Sequence, residues 1–360
     1  MSNFKAINSI PVRTWKWLNV NDTAVKYEIN EIVKYKKNPI VTLPKAVIVL
    51  ENYDIDKKVL DIIGCEKSIS NFVEINTNTK YIFSIPKDCT VIEPLVISYE
   101  IDKENAAVID DIVIIAEANS EINVLVKYEG NDNTACFHAG RFIVVAKEGA
   151  KVKVTKSQFL NDESVHVDTS CAVAGENAEV RFLYTEVGAK QIAVHSTVVA
   201  NGRNANAEIY SMYYGDKDRE LDFNYKLVYN APETTGNMGV RGILNDASKK
   251  TFRGTLDFVS GAKGSKGSEE EYTVLLSPNI RNISAPLLLC GEDDVEGTHA
   301  NSTGKLDEDK MFYLMTRGMS EADAKKIIVE AALAPILELV DDIKLKTDLS
   351  EYIRTRIDIK

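Results

Sequence analysis

The chain has 360 residues, 44% of them apolar and 27% charged, and 43 Lys and Arg against 54 Asp and Glu give a net charge of −11. Such a composition buries a substantial core, and its acidity excludes a nonspecific nucleic-acid binder, because phosphate neutralisation needs clustered cations. No apolar run approaches the roughly 20 residues that span a bilayer and the start lacks the charged-then-apolar order of a secretory leader, so neither membrane nor nucleic acid is expected as a partner and the expected compartment is the cytoplasm.

Residues 1–85 carry a mixed pattern and are expected to form a small mixed α/β region. Pro11 to Leu18 holds Trp15 and Trp17 at i and i+2, an extended spacing suited to an arm docked on another surface or to a packed terminus. Asp56 to Ile63 has the composition of a short helix, and Tyr81 to Ile85 begins the strands.

From residue 86 to 300 the sequence repeats. Glu121 to Val124, Ala150 to Val154, Ala178 to Phe182 and Ala207 to Tyr210 each start a strand after a corner rich in Gly, Asn or Ala, and Ile112 to Ala116, Phe142 to Ala146, Ser170 to Ala174 and Ser196 to Ala200 precede those corners. Aligning Ala150, Ala178 and Ala207 gives a long, nearly regular period, the mark of stacked coils. A β-sandwich also yields many short strands, but the period favours a mainly β chain folded as a parallel β-helix. Small residues at the corners Lys147 to Ala150, Gly175 to Ala178 and Asn201 to Asn204 suit positive φ and close stacking between rungs. The ends of such a solenoid expose strand edges that must be capped or paired.

Residues 301–360 switch to helical period. Asp307, Glu308 and Asp309 favour a helix start before Lys310 to Met315, and Gly318 ends it. Ser320 with Asp323 resembles a capping box for a helix over Ala324 to Val340, kinked at Pro335, with Ile327, Ile328, Ala331, Ala332, Ile336 and Leu339 as its apolar face. A last helix is expected over Leu349 to Ile357. Leu337 and Val340 are surplus apolar positions, suited to a partner or to internal packing.

Cys65, Cys89, Cys136, Cys171 and Cys290 show no C-x-x-C spacing, and the reading is that most are reduced and buried. His138, His166, His195 and His299 lack the paired spacing of a metal-binding helix, so any ligand cluster must be assembled by the fold. Gly297 to Lys305 fails as a phosphate loop, with six residues between its glycines and Leu306 in place of the hydroxyl, so no ATP is expected to bind this chain. The sequons at Asn282 and Asn301 are read as coincidental, and Glu292 to Asp294 as a solvated acidic turn. Cys290 follows an apolar run and reads as a buried small hydrophobe or a weak metal ligand, whereas His299 lies among small polar residues and is a candidate ligand for iron or zinc.

The run DDVEGTHANSTGKLDEDKMFYLMTRG, Asp293 to Gly318, resembles the signature of the SufB/SufD core family, and Pro11 to Leu18 is similar to the start of SufD-type members. The resemblance implies a right-handed β-helix with a C-terminal helical region in a non-ATPase subunit of an iron–sulfur cluster assembly complex. It implies pairing with a SufB-like paralogue, or a homodimer through the β-helix edge, and docking of SufC-like ATPases on the C-terminal helices, with Phe312, Tyr313, Arg317, Leu337 and Val340 as contacts. His299 falls on the motif histidine, which implies a transient cluster or iron at a subunit interface; flavin use stays open. Ser277 to Asn282 offers no thiol where SufB-type chains carry one, which favours a SufD-like chain over a SufB-like scaffold. The rival from another class, a β-helix polysaccharide lyase or hydrolase, lacks a ladder of Asp, Lys or Arg at one repeat phase.

Overall fold

The structure, a computed structural model, describes the chain apart from residues 1, 15, 30, 54, 56–58, 60, 61, 131–133 and 358–360. The chain alternates between two facing nine-stranded sheets. One sheet takes Leu95–Ile101, Glu121–Gly130, Lys151–Phe159, Glu179–Glu186, Asn206–Gly215, Thr235–Leu244, Ser265–Leu275 and Val295–Lys305. The other takes Thr79–Ile85, Ala107–Ala116, Phe137–Ala146, Val165–Ala174, Gln191–Ala200, Glu220–Tyr229, Lys249–Phe258 and Arg281–Cys290. Within each sheet these strands pair in parallel, which makes the fold a β-solenoid and rules out a sandwich. The ninth strands, Ile40–Thr42 and Ile48–Leu50, pair antiparallel and blunt the first rung.

The parallel stack therefore runs from Thr79 to Lys305, so the first rung includes residues assigned from sequence to the N-terminal region, and the last strand passes residue 300. Corner geometry follows the sequence: Gly149, Asn177 and Asn204 have φ of 65°, 55° and 57°, and Asn204 Nδ2 donates to Asn177 Oδ1 at 2.9 Å, stapling consecutive corners. The period is less regular than the alanines suggest. Val180, not Ala178, stands beside Ala207, because corner loops absorb a residue or two while the ladder keeps its register.

Both faces of the middle strands are buried, which is why Ala107–Ala116 reads as one apolar run around two aspartates. On the outside of the second sheet lie the hairpin Ser2–Ile7 with Thr23–Tyr27 and helix α1, Lys67–Asn76. Phe4, Ile7, Val25, Ile69 and Val73 pack there on Ile109, Ala139, Val167 and Ala193. The docked extended arm expected at the tryptophans is not found: Lys16–Leu18 is a single helical turn and Trp17 is 75% exposed, while Trp15 lies outside the described residues. Most of the helix expected over Asp56 to Ile63 also lies outside them.

Helix α2 spans Glu308–Thr316, its first turn capped by Asp307 accepting from Lys310 N–H at 3.0 Å, and Gly318 follows at φ 92°. Helix α3, Glu321–Leu337, starts at Ser320, which accepts from Asp323 N–H at 3.1 Å, and carries Pro335 in its last turn. Helix α4, Ile343–Ile357, begins six residues before the expected Leu349. The buried face of α3 is Ala324, Val329, Leu333 and Ile336, whereas Ile327 is exposed. From Ile327 to Leu337 only Glu330 is charged, so apolar residues there lie on nearly every side and periodicity could not choose the face. Val340 must likewise be corrected: it is 2% exposed and packs with Leu345, Leu349, Leu125 and Leu183, with Leu337 against the same cluster. Exposed apolar side chains of the helical region include Phe312, Tyr313 and Met315 of α2, Ile327 of α3 and Ile343 of α4. Among the described residues no helix is long and apolar enough to cross a membrane.

The cysteine reading is overturned at two points. Cys65 and Cys171, 106 residues apart, are disulfide-bonded, because the segment before α1 crosses the outer wall of the solenoid beside Cys171. Of the rest, Cys290 is exposed, Cys89 half-buried and Cys136 buried.

Candidate functional site

Alternation along Ser265–Leu275 buries Ser265, Gly267, Glu269, Glu271 and Thr273, and their in-register partners on the last strand are Val295, Gly297, His299, Asn301 and Thr303. Across the mouth of the solenoid, Asn282, Ser284, Pro286, Leu288 and Cys290 stack on Lys250, Phe252, Gly254, Leu256 and Phe258. Asn282 Nδ2 donates to Thr303 Oγ1 at 3.0 Å, and a Cβ on Gly297 would meet Leu288 at 2.7 Å. His299 thus lies across from Pro286, and Cys290 across from Val295 beside the turn. The two candidate ligands are separated by four strand residues, about 13 Å, and do not converge. Cys290, solvent-exposed, is not the buried hydrophobe expected.

Beneath His299, the column through Val124, Val154, Phe182, Ile209 and Met238 is apolar until it ends in Glu269 and then His299. Glu269 is 3% exposed and its Oε2 has no hydrogen-bond partner among the described residues. Burial first, and then the charge of Glu271, push its carboxyl up to about 7. Gly254 makes room for it, since a Cβ there would sit 2.5 Å from Glu269 Oε1. Glu271 is fully buried, pairs with the Lys250 ammonium and accepts from Asn301 Nδ2 at 2.7 Å. Burial lowers the Lys250 pKa against the pull of Glu271, and Lys250 also donates to Ser284 Oγ at 2.9 Å. The mouth therefore presents an exposed imidazole stacked in register on a carboxyl that titrates near neutrality. Both are donors for a divalent cation. Among the described residues no group of three or more His, Cys, Asp or Glu is arranged to hold a metal, so this set is incomplete by itself.

Deeper in the solenoid, one half of the interior is polar along its length. His138 Nε2 lies 2.6 Å from Asp110 Oδ1, His138 Nδ1 lies 2.8 Å from His166 Nδ1, and Tyr128 donates to Asp110 Oδ2 at 3.1 Å. Lys156 donates to Asp168 at 2.6 Å, and Ser170 donates to the other oxygen of Asp168 at 2.9 Å. Gly140 keeps this cluster open, since a Cβ there would come within 2.6 Å of Asp168 Oδ1. His166 is pushed well below its usual range by burial, then by His138 and Lys156. Burial raises Glu186, 3.7 Å from His166 Nε2, to about 8. Toward the mouth the polar half continues through Tyr184 with Ser196, Tyr225 with Ser211, and Tyr213 with Thr273, which reaches Glu271 at 3.3 Å. Sequence reasoning missed this cluster because it sought metal spacings within one element. The signal was present: His138 and His166 are separated by one 28-residue turn, which places them on adjacent strands.

A family model described as the SUF system FeS cluster assembly SufBD core domain matches residues 99–332, the solenoid with α2 and most of α3. An iron-sulfur cluster assembly SufBD family protein of Staphylococcus saprophyticus is 25% identical over 255 residues, 70% of this chain and 54% of that protein. Counterparts from Mycobacterium leprae (24% identical, 77% of this chain and 32% of the relative) and Mycobacterium tuberculosis (26% identical, 55% and 24%) are similar in the same way. The chain thus spans about half or less of the length of these relatives. With the match covering most of the solenoid and about two thirds of the sequence, the chain belongs to the SufBD core family of the SUF iron–sulfur cluster assembly system.

Proposed function

We propose that this chain is a non-catalytic, SufD-like subunit that pairs the open end of its solenoid with a SufB-like paralogue and completes there a transient site for iron or a nascent cluster. The observation that carries this reading is the column that stays apolar for five rungs and then ends in the buried Glu269, whose Oε2 has no hydrogen-bond partner among the described residues, under an exposed His299. A carboxyl with an unpartnered buried oxygen is costly; a ligand site shared across an interface gives it a role. Among the described residues the last strands of both sheets, Arg281–Cys290 and Val295–Lys305, each have one edge without a neighbouring strand, and such edges template pairing with another chain. The exposed Phe312, Tyr313 and Met315 of α2, with Arg317 stacked on Tyr313, supply an apolar surface with a cationic rim for a SufC-like ATPase. ATP-driven movement of that partner would act on the paired solenoids, and the cluster is cargo of the assembly.

Copurification tests the reading. Wild-type chain brings down SufB-like and SufC-like partners, Thr298→Lys with Ala300→Lys on the outward positions of the edge strand loses the first and keeps the second, and Phe312→Ala with Tyr313→Ala does the reverse. Failure of the wild type to bind either partner overturns it. An open edge also suits a second copy of this chain acting with the ATPase alone; sedimentation of the purified chain as an edge-sensitive dimer, with no SufB-like partner recovered, would favour that arrangement.

A further inference from the structure

The disulfide between Cys65 and Cys171 lies far from the mouth, on the outer wall of the second sheet, in surroundings that suit exchange. Its two sulfurs are unequal: Cys171 is fully buried, whereas Cys65 is half-buried at the start of a helix. Cys65 immediately precedes Glu66, the N-cap of the ten-residue α1, where the helix dipole favours a thiolate. One rung along the wall from Cys171, between the N-terminal segment and the sheet, is a cavity of about 330 Å³ whose walls include Gly64, Thr197, His195 and Lys226. Gly64 is the chain neighbour of Cys65. Thr197 and Lys226 continue the ladder position of Cys171 on the next two rungs. A cavity of this size is of the order of a small-molecule site.

Behind the bond stands a hydroxyl relay. Thr169 Oγ1 accepts the Glu66 N–H at 3.0 Å, which leaves its own proton to be shared between Cys171 Sγ at 3.7 Å and His195 Nδ1 at 3.3 Å. Burial, and secondarily Lys226, hold His195 down at about 4, so that it is a neutral acceptor near pH 7.

We propose that Cys65 and Cys171 are a redox-active pair that undergoes thiol–disulfide exchange with a small thiol of the glutathione class entering by this cavity. The thiolate attacks Cys65 Sγ, which belongs to the less buried of the two cysteines. The bond to Cys171 breaks with its electron pair on Cys171 Sγ, toward which the Thr169 hydroxyl turns, and Cys65 becomes a mixed disulfide. A second small thiolate attacks the thiol's sulfur and releases Cys65. Two thiols are oxidised to one disulfide, the protein's bond is reduced, and the two protons end on Cys65 and Cys171. Reduction frees the segment before α1 from its covalent tie to the wall.

The test equilibrates the full chain in graded ratios of reduced to oxidised glutathione, quenches with acid, alkylates, and maps each cysteine by peptide mass spectrometry while circular dichroism follows the fold. Cys65 and Cys171 are expected to convert together as one step within the glutathione range with the fold intact. In Cys171→Ser, glutathione is expected on Cys65 at roughly tenfold higher occupancy than on the exposed Cys290, as its helix-end setting implies. A pair that stays oxidised until the protein unfolds, a pair reduced at every ratio, or glutathione found equally on Cys290 would overturn the proposal. The wild-type titration stands alone if the variant fails to fold.

Discussion

The middle of the solenoid and its last rung use the same inward positions and the same kinds of side chain, yet they differ in what surrounds them. In the middle, Asp110, His138, His166, Lys156 and Asp168 are sealed by rungs on both sides and find their partners within the chain. At the mouth, Glu269 keeps an oxygen without a hydrogen-bond partner among the described residues and His299 faces solvent. The difference teaches that rung position, more than residue type, separates a structural polar cluster from a site. Even the sealed middle leaves Glu186 Oε2 without a hydrogen-bond partner among the described residues, so what sets the last rung apart is access: a polar group left over there can be met by another molecule.

The largest test of the comparison removes a charge from the sealed cluster. Lys156→Met leaves Asp168 buried without its cation and is expected to cost about 3–5 kcal/mol in urea unfolding; a loss below 1 kcal/mol would place the middle in the same class as the mouth. Next comes a pH profile. The Glu186 carboxyl is raised from its ordinary 4.5 to about 8 in the folded chain, so the folded state holds a proton that the unfolded state releases, and stability falls as pH rises through that window. Glu186→Gln should abolish this slope, by an amount on the order of 5 kcal/mol across it. His166 works the other way. Its depressed pKa gives stability present above 6.5 and lost as pH falls below that value, so His166→Gln should be relatively less acid-sensitive than wild type.

Smaller effects separate packing from binding at the helical end. Val340→Ala, inside the cluster under α3 and α4, is expected to destabilise by about 1–2 kcal/mol, whereas Phe312→Ala, 71% exposed, should change the unfolding free energy by no more than about 0.5 kcal/mol while weakening ATPase copurification. The smallest effect on folding belongs to His299→Ala. It is expected to leave the thermal midpoint unchanged within error and to lower iron incorporation by the assembled complex; an equal loss of folding would make the mouth histidine structural.

Much of this was legible in the sequence. Corner residues Gly149, Asn177 and Asn204, the caps Asp307 and Ser320, and the stop at Gly318 are local signals, since each answers a backbone requirement within a few residues. The parallel solenoid was legible because its period recurs along the chain. His299 stood out because no apolar neighbours justified an imidazole, although its register above Glu269 was not visible.

What the sequence by itself determined is therefore the coil-by-coil architecture and the family, both set by short-range pattern and repetition. The tertiary structure alone decided which face of α3 is buried, that Val340 is core, that Cys290 and His299 stand apart, that Cys65 meets Cys171, and that Asp110, His138 and His166 share one cluster. Each of these depends on residues about one turn or more apart in the chain, or on which side of an apolar helix meets the wall. Register and packing, rather than local preference, fix such relations.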